Sequence, residues 1–531
     1  MASQTSSAPA AAAKDAQWHP SHNPWLIAVS VMLATFMEVL DTSVANVSLP
    51  HIAGNLSATP EEATWVLTSY LVANAIILPA TNWLGNLFGR KRFFVTCIII
   101  FTLASALCGM ANSLGFLILA RVLQGAGGGA LQPISQAVLL ESFPPAKRGA
   151  AMALFAMGVV VAPIAGPTLG GWITDNYSWR WIFYINLPIG AMAVWMATAF
   201  IEDPPYLKKV LLKDIDYIGF GLLAIWLATA QYILDKGQEL DWFSSHLIAT
   251  LGVISFVALV GFVTWELTVE HPIVDLRILK NRNFAVGVGL MTLLGALLYG
   301  TTAILPLFMQ VLLGYPALDA GLALSPRGLA AFITTLLVGR LVGKVSSRLL
   351  ITTGFLVLAY SSFRLGKIDL EISMQSIVLP SIINGIAISF IFVPLTTSTM
   401  GTLAQAQMGN ATGIFNLMRN LGGSIGIALI TTFIARGSQV QQGTLVGHLS
   451  RFNPVFQHKL AVIQAGLSAH GDPVKAATEA QSILYGILQQ QASLLTYVHN
   501  FRLFGIVCLV CTPLVFLFKK VKNPKMKVDV H

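Results

Sequence analysis

Charge is what this chain has least of. Of 531 residues, 32 are Lys or Arg and 23 are Asp or Glu, together 10%, against 55% hydrophobic residues. A soluble globular chain carries roughly 25% charged residues, so this one cannot cover a water-facing surface. That excludes a cytosolic enzyme, a secreted disulfide scaffold and a disordered protein, and it requires a bilayer. Cysteine is scarce too. Cys97, Cys108, Cys508 and Cys511 all lie in apolar stretches. The Cys508 to Cys511 spacing imitates a metal or redox pair, but no second pair completes a site, so buried, inert thiols are expected. Residues 1–24 lack the apolar core of a cleaved signal and read as a disordered cytoplasmic tail.

Long apolar runs, by contrast, fill the chain. A spanning helix needs about 20 apolar residues. Fourteen such runs stand between charged or Pro/Gly-rich breaks, at 25–48, 63–85, 93–111, 114–141, 149–174, 179–201, 216–235, 246–268, 284–310, 318–343, 349–366, 376–400, 411–435 and 501–518. The short alternating segments of a membrane barrel do not occur, so the fold class is an all-α integral membrane protein. Lys and Arg collect in alternate connections, as at Arg90, Lys91 and Arg92, at Lys147 and Arg148, at Lys208, Lys209 and Lys213, and after Lys519. The opposite connections carry Glu61, Glu62, Asp175, Asp235, Glu239 and Asp241. The positive-inside rule then puts both termini in the cytoplasm. The formal charge of +9 is therefore a topology signal, with anionic-lipid contact as a side effect, and no nucleic-acid partner is expected. Residues 436–500, between spans 13 and 14, face outward and read as an ordered, partly amphipathic extracytoplasmic element.

The few charges left inside the spans are the candidates for chemistry. Span 1 reads FMEVLDTSVANVSLP and places Glu38 and Asp41 on one helical face. Acids in hydrocarbon cost several kcal/mol and face a cavity or a partner. Span 4 reads LARVLQGAGGGALQPISQA, where Arg121, Gly125, Gly128 and Gln132 form a stripe with Gln124 and Gln136 beside it. At 1.5 Å per residue, Asp41 and Arg121 lie at similar depths, about 10 to 12 Å below the outer surface, and can meet. Their contact fits either a permanent structural pair or a proton-coupling pair. In span 5, Gly158, Ala162, Gly166 and Gly170 form a small-residue ladder, and Pro163 and Pro167 bend the helix. Arg327 in span 10 and Arg419 in span 13, flanked by Asn416 and Asn420, suit a structural or a transport role equally. GRLVGKV at Gly339 is one residue too short for a phosphate loop, and no HExxH or metal-ligand cluster occurs. No cofactor and no ATP are expected, and an ion gradient remains as the energy source.

LDTSVANVSLP at 40–50, RVLQGAGGG at 121–129, APIAGPTLGG at 162–171, WRWIFYINLPIG at 179–190, QYILDKGQELDWFSS at 231–245, HPIVDLRILKNRNF at 271–284 and RNLGGSIG at 419–426 together resemble the major facilitator superfamily and, within it, the fourteen-span drug:proton antiporter family. The likeness runs from about Trp25 onward. It departs from the superfamily at one place: NWLGNLFGRK has Asn82, Asn86 and Leu87 where Gly, Asp and Arg are the rule. That puts the inward-side latch of this loop in doubt and leaves Arg90 and Lys91 as topology anchors.

The resemblance implies the major facilitator fold, with fourteen transmembrane helices. Two six-helix bundles, 25–201 and 284–518, the second including 436–500, would flank a linker at 202–283 that carries two extra helices. The tails are 1–24 and 519–531. It also implies proton-driven efflux of lipophilic drugs at a bacterial inner membrane, alongside a periplasmic membrane-fusion adaptor and a TolC-like outer-membrane channel. Asp41 is the first choice for the protonation site, Glu38 a second acid or a contact for cationic substrates, and Arg121 the coupling group. Gln124, Gly125, Gly166, Pro167, Gly170, Gly171, Arg327, Asn416 and Arg419 line the cavity or gate. The competing expectations are export of a native siderophore, lipid or metabolite, and a non-transporting membrane scaffold or sensor.

Overall fold

In hydrocarbon every backbone N–H and C=O must be satisfied within its own segment, so each apolar run of sufficient length becomes a helix. The computed structural model describes residues 20–144, 147–204, 216–450, 452–469 and 473–519. Most of the two expected tails, and Lys208, Lys209 and Lys213, lie outside the described residues. The first part of the chain contains α1 (Pro24–Val47), the short α2 (Leu49–Asn55) and α3 (Pro60–Ala63), α4 (Trp65–Phe88), α5 (Arg90–Gly109), α6 (Leu114–Gly128), α7 (Leu131–Ser142), α8 (Arg148–Asn176), α9 (Trp181–Tyr184) and α10 (Asn186–Phe200). Next come α11 (Tyr217–Lys236) and α12 (His246–Thr268). The remainder contains α13 (Arg282–Leu307), α14 (Ala317–Leu341), α15 (Ser347–Leu365), α16 (Met374–Met400), α17 (Met408–Val446), α18 (Pro454–Ser468) and α19 (Pro473–Leu514).

Among the described residues twelve helices are long and apolar enough to cross a membrane, and thirteen when the bent α8 counts as one. The helix α15 occupies the place of the remaining expected span. Local chemistry sets several helix starts: the side chains of Asn23, Ser113, Asp216, Asn281 and Ser346 each accept a backbone N–H from the first turn of the helix they precede. The fourth span, expected as one run, is broken between α6 and α7. Pro133 cannot donate to the carbonyl of Gly129, and the glycines before it resist little. α8 bends by 41° between Arg148–Pro163 and Ala165–Asn176, where Pro163 and Pro167 each remove a hydrogen bond.

α1, α4 to α8 and α10 pack on one another as one bundle, and α13 to α17 with α19 as a second. The bundles meet where α8 packs on α14 and α16, and where α4 and α7 pack on α17. Phe155 of α8 stacks on Phe392 of α16 with ring centroids 6.4 Å apart. α11 bridges both bundles. Its Gln231 accepts from Ser424 of α17 at 3.0 Å, and its Lys236 donates to Thr64 before α4 at 2.6 Å.

The stretch 436–500 differs from its expected form as a long connection. No proline interrupts RGSQVQQGTLV and its two glycines are tolerated, so α17 continues through it to Val446, α19 begins at Pro473, and α18 is the described helix between them. With 39 and 42 residues, these helices are about 58 and 63 Å long at 1.5 Å per residue, twice the hydrocarbon thickness of about 30 Å.

Candidate functional site

Asp41 is 2% exposed and Arg121 wholly buried. Arg121 Nη1 donates to Asp41 Oδ2 at 2.6 Å. The other carboxylate oxygen, Oδ1, accepts from Gln124 Nε2 at 2.9 Å and from Asn186 Nδ2 at 2.8 Å. Arg121 Nη1 also donates to Gln124 Oε1 at 2.7 Å, and its Nε donates to the Val66 carbonyl at 3.0 Å. The guanidinium lies 4.2 Å from the Tyr70 ring centroid. Gly125 makes this approach geometrically feasible, because a Cβ there would collide with the carbonyl of Tyr70, and α6 could not lie so close on α4. A buried pair of this kind holds only when its remaining lone pairs and protons are met. Both oxygens of Asp41 are met, and of the Arg121 nitrogens Nε and Nη1 are met while Nη2 is buried without a partner.

Glu38, one turn earlier on α1, is also buried but has different partners. Its Oε1 accepts from Tyr70 Oη and from Asn74 Nδ2, each at 3.2 Å, and its Oε2 accepts from Gln132 Nε2 at 2.5 Å. Among the described residues Glu38 forms no ion pair. The amide oxygen of Gln132 accepts in turn from Arg419 Nη2 of the second bundle. One turn further along α7, Gln136 Oε1 accepts from Asn416 Nδ2 at 2.6 Å. Glu38, Gln132, Arg419, Gln136 and Asn416 therefore form a polar ladder between α7 and α17. Arg419 Nη2 reaches Asn420 Oδ1 at 3.3 Å, while its Nε and Nη1 are buried without a partner.

The structure thus brings Asp41, Arg121, Gln124 and Gly125 together, and it brings Glu38, Asn416 and Arg419 to the bundle interface. Arg327 lies elsewhere. It is buried inside the second bundle, where its Nη2 donates to Thr301 at 3.3 Å. Gly158, Gly166 and Gly170 pack against Met32, Ser43 and Val44 of α1, within one bundle, and beside Gly171 only Val47 comes near. The part of α8 that crosses to α14 carries Gly149, Ala153 and Thr168. Pro167 is partly buried on the same bent helix. Sequence reasoning missed Tyr70, Asn74 and Asn186. Their signal was present, as Tyr70 and Asn74 stand four apart in SYLVANAI and Asn186 interrupts an apolar run.

Arg90 is more than a topology anchor. It is buried and forms an ion pair with Glu141 at the end of α7. The turn before it needs Gly89, whose φ of +87° lies in the left-handed region. Asn82, at the departure from the superfamily pattern, points its amide oxygen at Gly409 in the first turn of α17, so this end of α4 still meets the second bundle. Outside the membrane, Ser21 and His22 hydrogen-bond Glu202 and hold its carboxyl below the usual range. Cys97, Cys108, Cys508 and Cys511 are free and buried.

The family model described as Major Facilitator Superfamily matches residues 31–427. The chain belongs to that superfamily. The multidrug export protein EmrB of Haemophilus influenzae is 41% identical over 86% of this chain and 89% of its own length, which places this facilitator in the EmrB-like branch. The fatty acid resistance protein FarB of Neisseria gonorrhoeae is 37% identical over 93% of this chain and 96% of its own. Among solved structures, the proton:xylose symporter XylE superposes with a TM-score of 0.60 at 14% identity, covering 93% of this chain and 95% of that one; this shows the shared fold. The facilitator is a multi-span membrane transporter and not an enzyme.

Proposed function

We propose that this facilitator is a proton-coupled exporter of lipophilic toxic compounds that works by alternating access in a bacterial inner membrane, with both termini cytoplasmic. The observation that carries this reading is the buried cluster of two acids and two arginines at the core of the bundles. Ionised, Glu38 and Asp41 balance Arg121 and Arg419. A proton on either acid leaves an excess positive charge in a site where charge is costly, and the surrounding packing then favours a different arrangement. The gradient supplies that proton, and no cofactor or ATP takes part. The names of EmrB and FarB support toxic, lipophilic cargo, and FarB favours a second reading in which the native cargo is a fatty acid or related lipid.

The facilitator would form the inner-membrane part of a tripartite pump, joined by a periplasmic membrane-fusion adaptor of the EmrA kind and a TolC-like channel. The projecting ends of α17 and α19 support this reading. With α18 and Phe452 just before it, they expose Val440, Phe452, Val455 and Val462 beyond the length a bilayer covers. In proteoliposomes with an imposed pH gradient, Asp41→Asn should abolish proton-driven export while the protein still assembles. Normal coupled export by that variant would remove Asp41 from the role.

A further inference from the structure

The ladder between α7 and α17 has a polarity that the proton-coupled reading does not yet use. Gln132 presents its N–H to Glu38 and its carbonyl oxygen to Arg419. An amide so placed is aligned with both charges: its donor faces an anion and its acceptor faces a cation. Hydrogen bonds to ionised groups are roughly twice as strong as neutral ones, and bonds in a chain polarise one another. The alignment therefore has its full strength only while Glu38 is ionised. A proton on Glu38 removes the anion at one end. Arg419 is then left with a weaker acceptor, and two of its nitrogens are already without partners.

We propose that Gln132 is a positioning residue that transmits the charge of Glu38 to Arg419 across the bundle interface. Ionised Glu38 holds the Lys/Arg-rich end closed, and protonated Glu38 releases it. This proposal rests on the proton-coupled reading above. The titratable and charged groups facing Glu38 are Tyr70 on α4 and Arg419 on α17, while Asp41 on its own helix and Arg121 on α6 face Tyr70 instead. Asp41 and Arg121 already satisfy each other, so Glu38 is the acid whose charge is felt by the second bundle. Gln132 lies ten residues from the end of α7 and Arg419 eleven from the start of α17, so the tie sits about 15 Å from that end. Gln136 with Asn416, and Asn82 with Gly409, continue the closure outward from it. The sequence of events matches drug:proton exchange. The pump with its inner end closed takes a proton from outside, the tie to Arg419 weakens, and the inner end opens to release the proton and admit cargo.

The test is a distance measured between spin labels on Lys147→Cys and Ala404→Cys, exposed positions on the two bundles at the same end, in the full protein in lipid. The four native cysteines are buried and label poorly. In the otherwise wild-type protein, acidification should shift the distribution to longer distances. Gln132→Leu and Glu38→Gln should show the long distance at all pH values. Gln132→Glu, which pairs directly with Arg419, should stay short to lower pH than wild type. Drug-stimulated proton release in the same preparations reports separately on the proton-coupled reading. If release occurs but Gln132→Leu keeps the wild-type pH response, the relay is overturned and the coupled reading stands. If Gln132→Leu fails to assemble, a Gln132→Glu protein that opens at the wild-type pH overturns the relay equally. A wild-type distance that does not move with pH also overturns it.

Discussion

Glu38 and Asp41 stand three residues apart on one helix, yet they belong to different parts of the machine. Asp41 is enclosed within one bundle, with an arginine on one oxygen and two amides on the other. Glu38 holds only neutral donors, two from its own bundle side and one from Gln132, through which it reaches across to the other bundle. One turn of helix thus separates a carboxylate paired directly with a cation inside its own bundle from an acid that reaches a cation through one amide. A carboxylate paired with a cation in its own bundle is tied to that bundle alone, whereas one held by neutral donors is coupled to whatever those donors touch.

Stripping the partner from Asp41 should break this contrast most severely. Arg121→Leu leaves a buried carboxylate without its cation and should cost about 3–5 kcal/mol, read as a large fall in the thermal midpoint in detergent together with loss of coupled transport. Asn186→Leu sharpens the contrast by removing one donor from Asp41 and none from Glu38. It should cost about 1–3 kcal/mol and leave the cross-bundle distance responsive to pH. A midpoint equal to wild type would show that Asn186 contributes nothing to holding the acid. The smallest effect belongs to Glu202, outside both regions. Because the folded protein holds this carboxyl below its ordinary range, its contribution is present above that range and is lost as pH falls through the lowered value. Glu202→Gln should therefore lower the midpoint slightly near pH 7, have no effect at strongly acidic pH, and leave coupled transport unchanged.

The fold was legible in the sequence because hydrocarbon leaves an apolar run few choices, and each expected run falls on a helix or a helix pair, although the last two are only parts of the longer α17 and α19. Its interruptions were less legible. Pro133 and the glycines before it signal a break in span 4 only to a reader who asks which carbonyl loses its donor. The Asp41 to Arg121 contact followed from depth along two helices, since 1.5 Å per residue is a rule that survives without coordinates. Asn186 was harder to find. Asn is neutral, and a lone amide in a span can satisfy itself locally, so nothing in WRWIFYINLPIG tells which acid it serves. The cross-bundle ladder was hidden for another reason. Gln132 and Arg419 are 287 positions apart, and only the packing of α7 on α17 brings them together. Arg90 was misread because a cation beside a turn looks solvated until the partner, Glu141, is known to face it.

The length of α17 and α19 gives the second bundle a lever. Each continues for roughly another 30 Å once it has left the hydrocarbon, and α18 packs against α19 there. A continuous helix is stiff, so in the rocking motion proposed above the projecting pair would move as a rigid arm with the bundle that carries it. A rocking rotation of about 10° would sweep its tip through about 5 Å, within the range of rigid-body domain motions. A movement too small to follow at the buried acids would thus arrive outside the membrane as a displacement the size of a side chain.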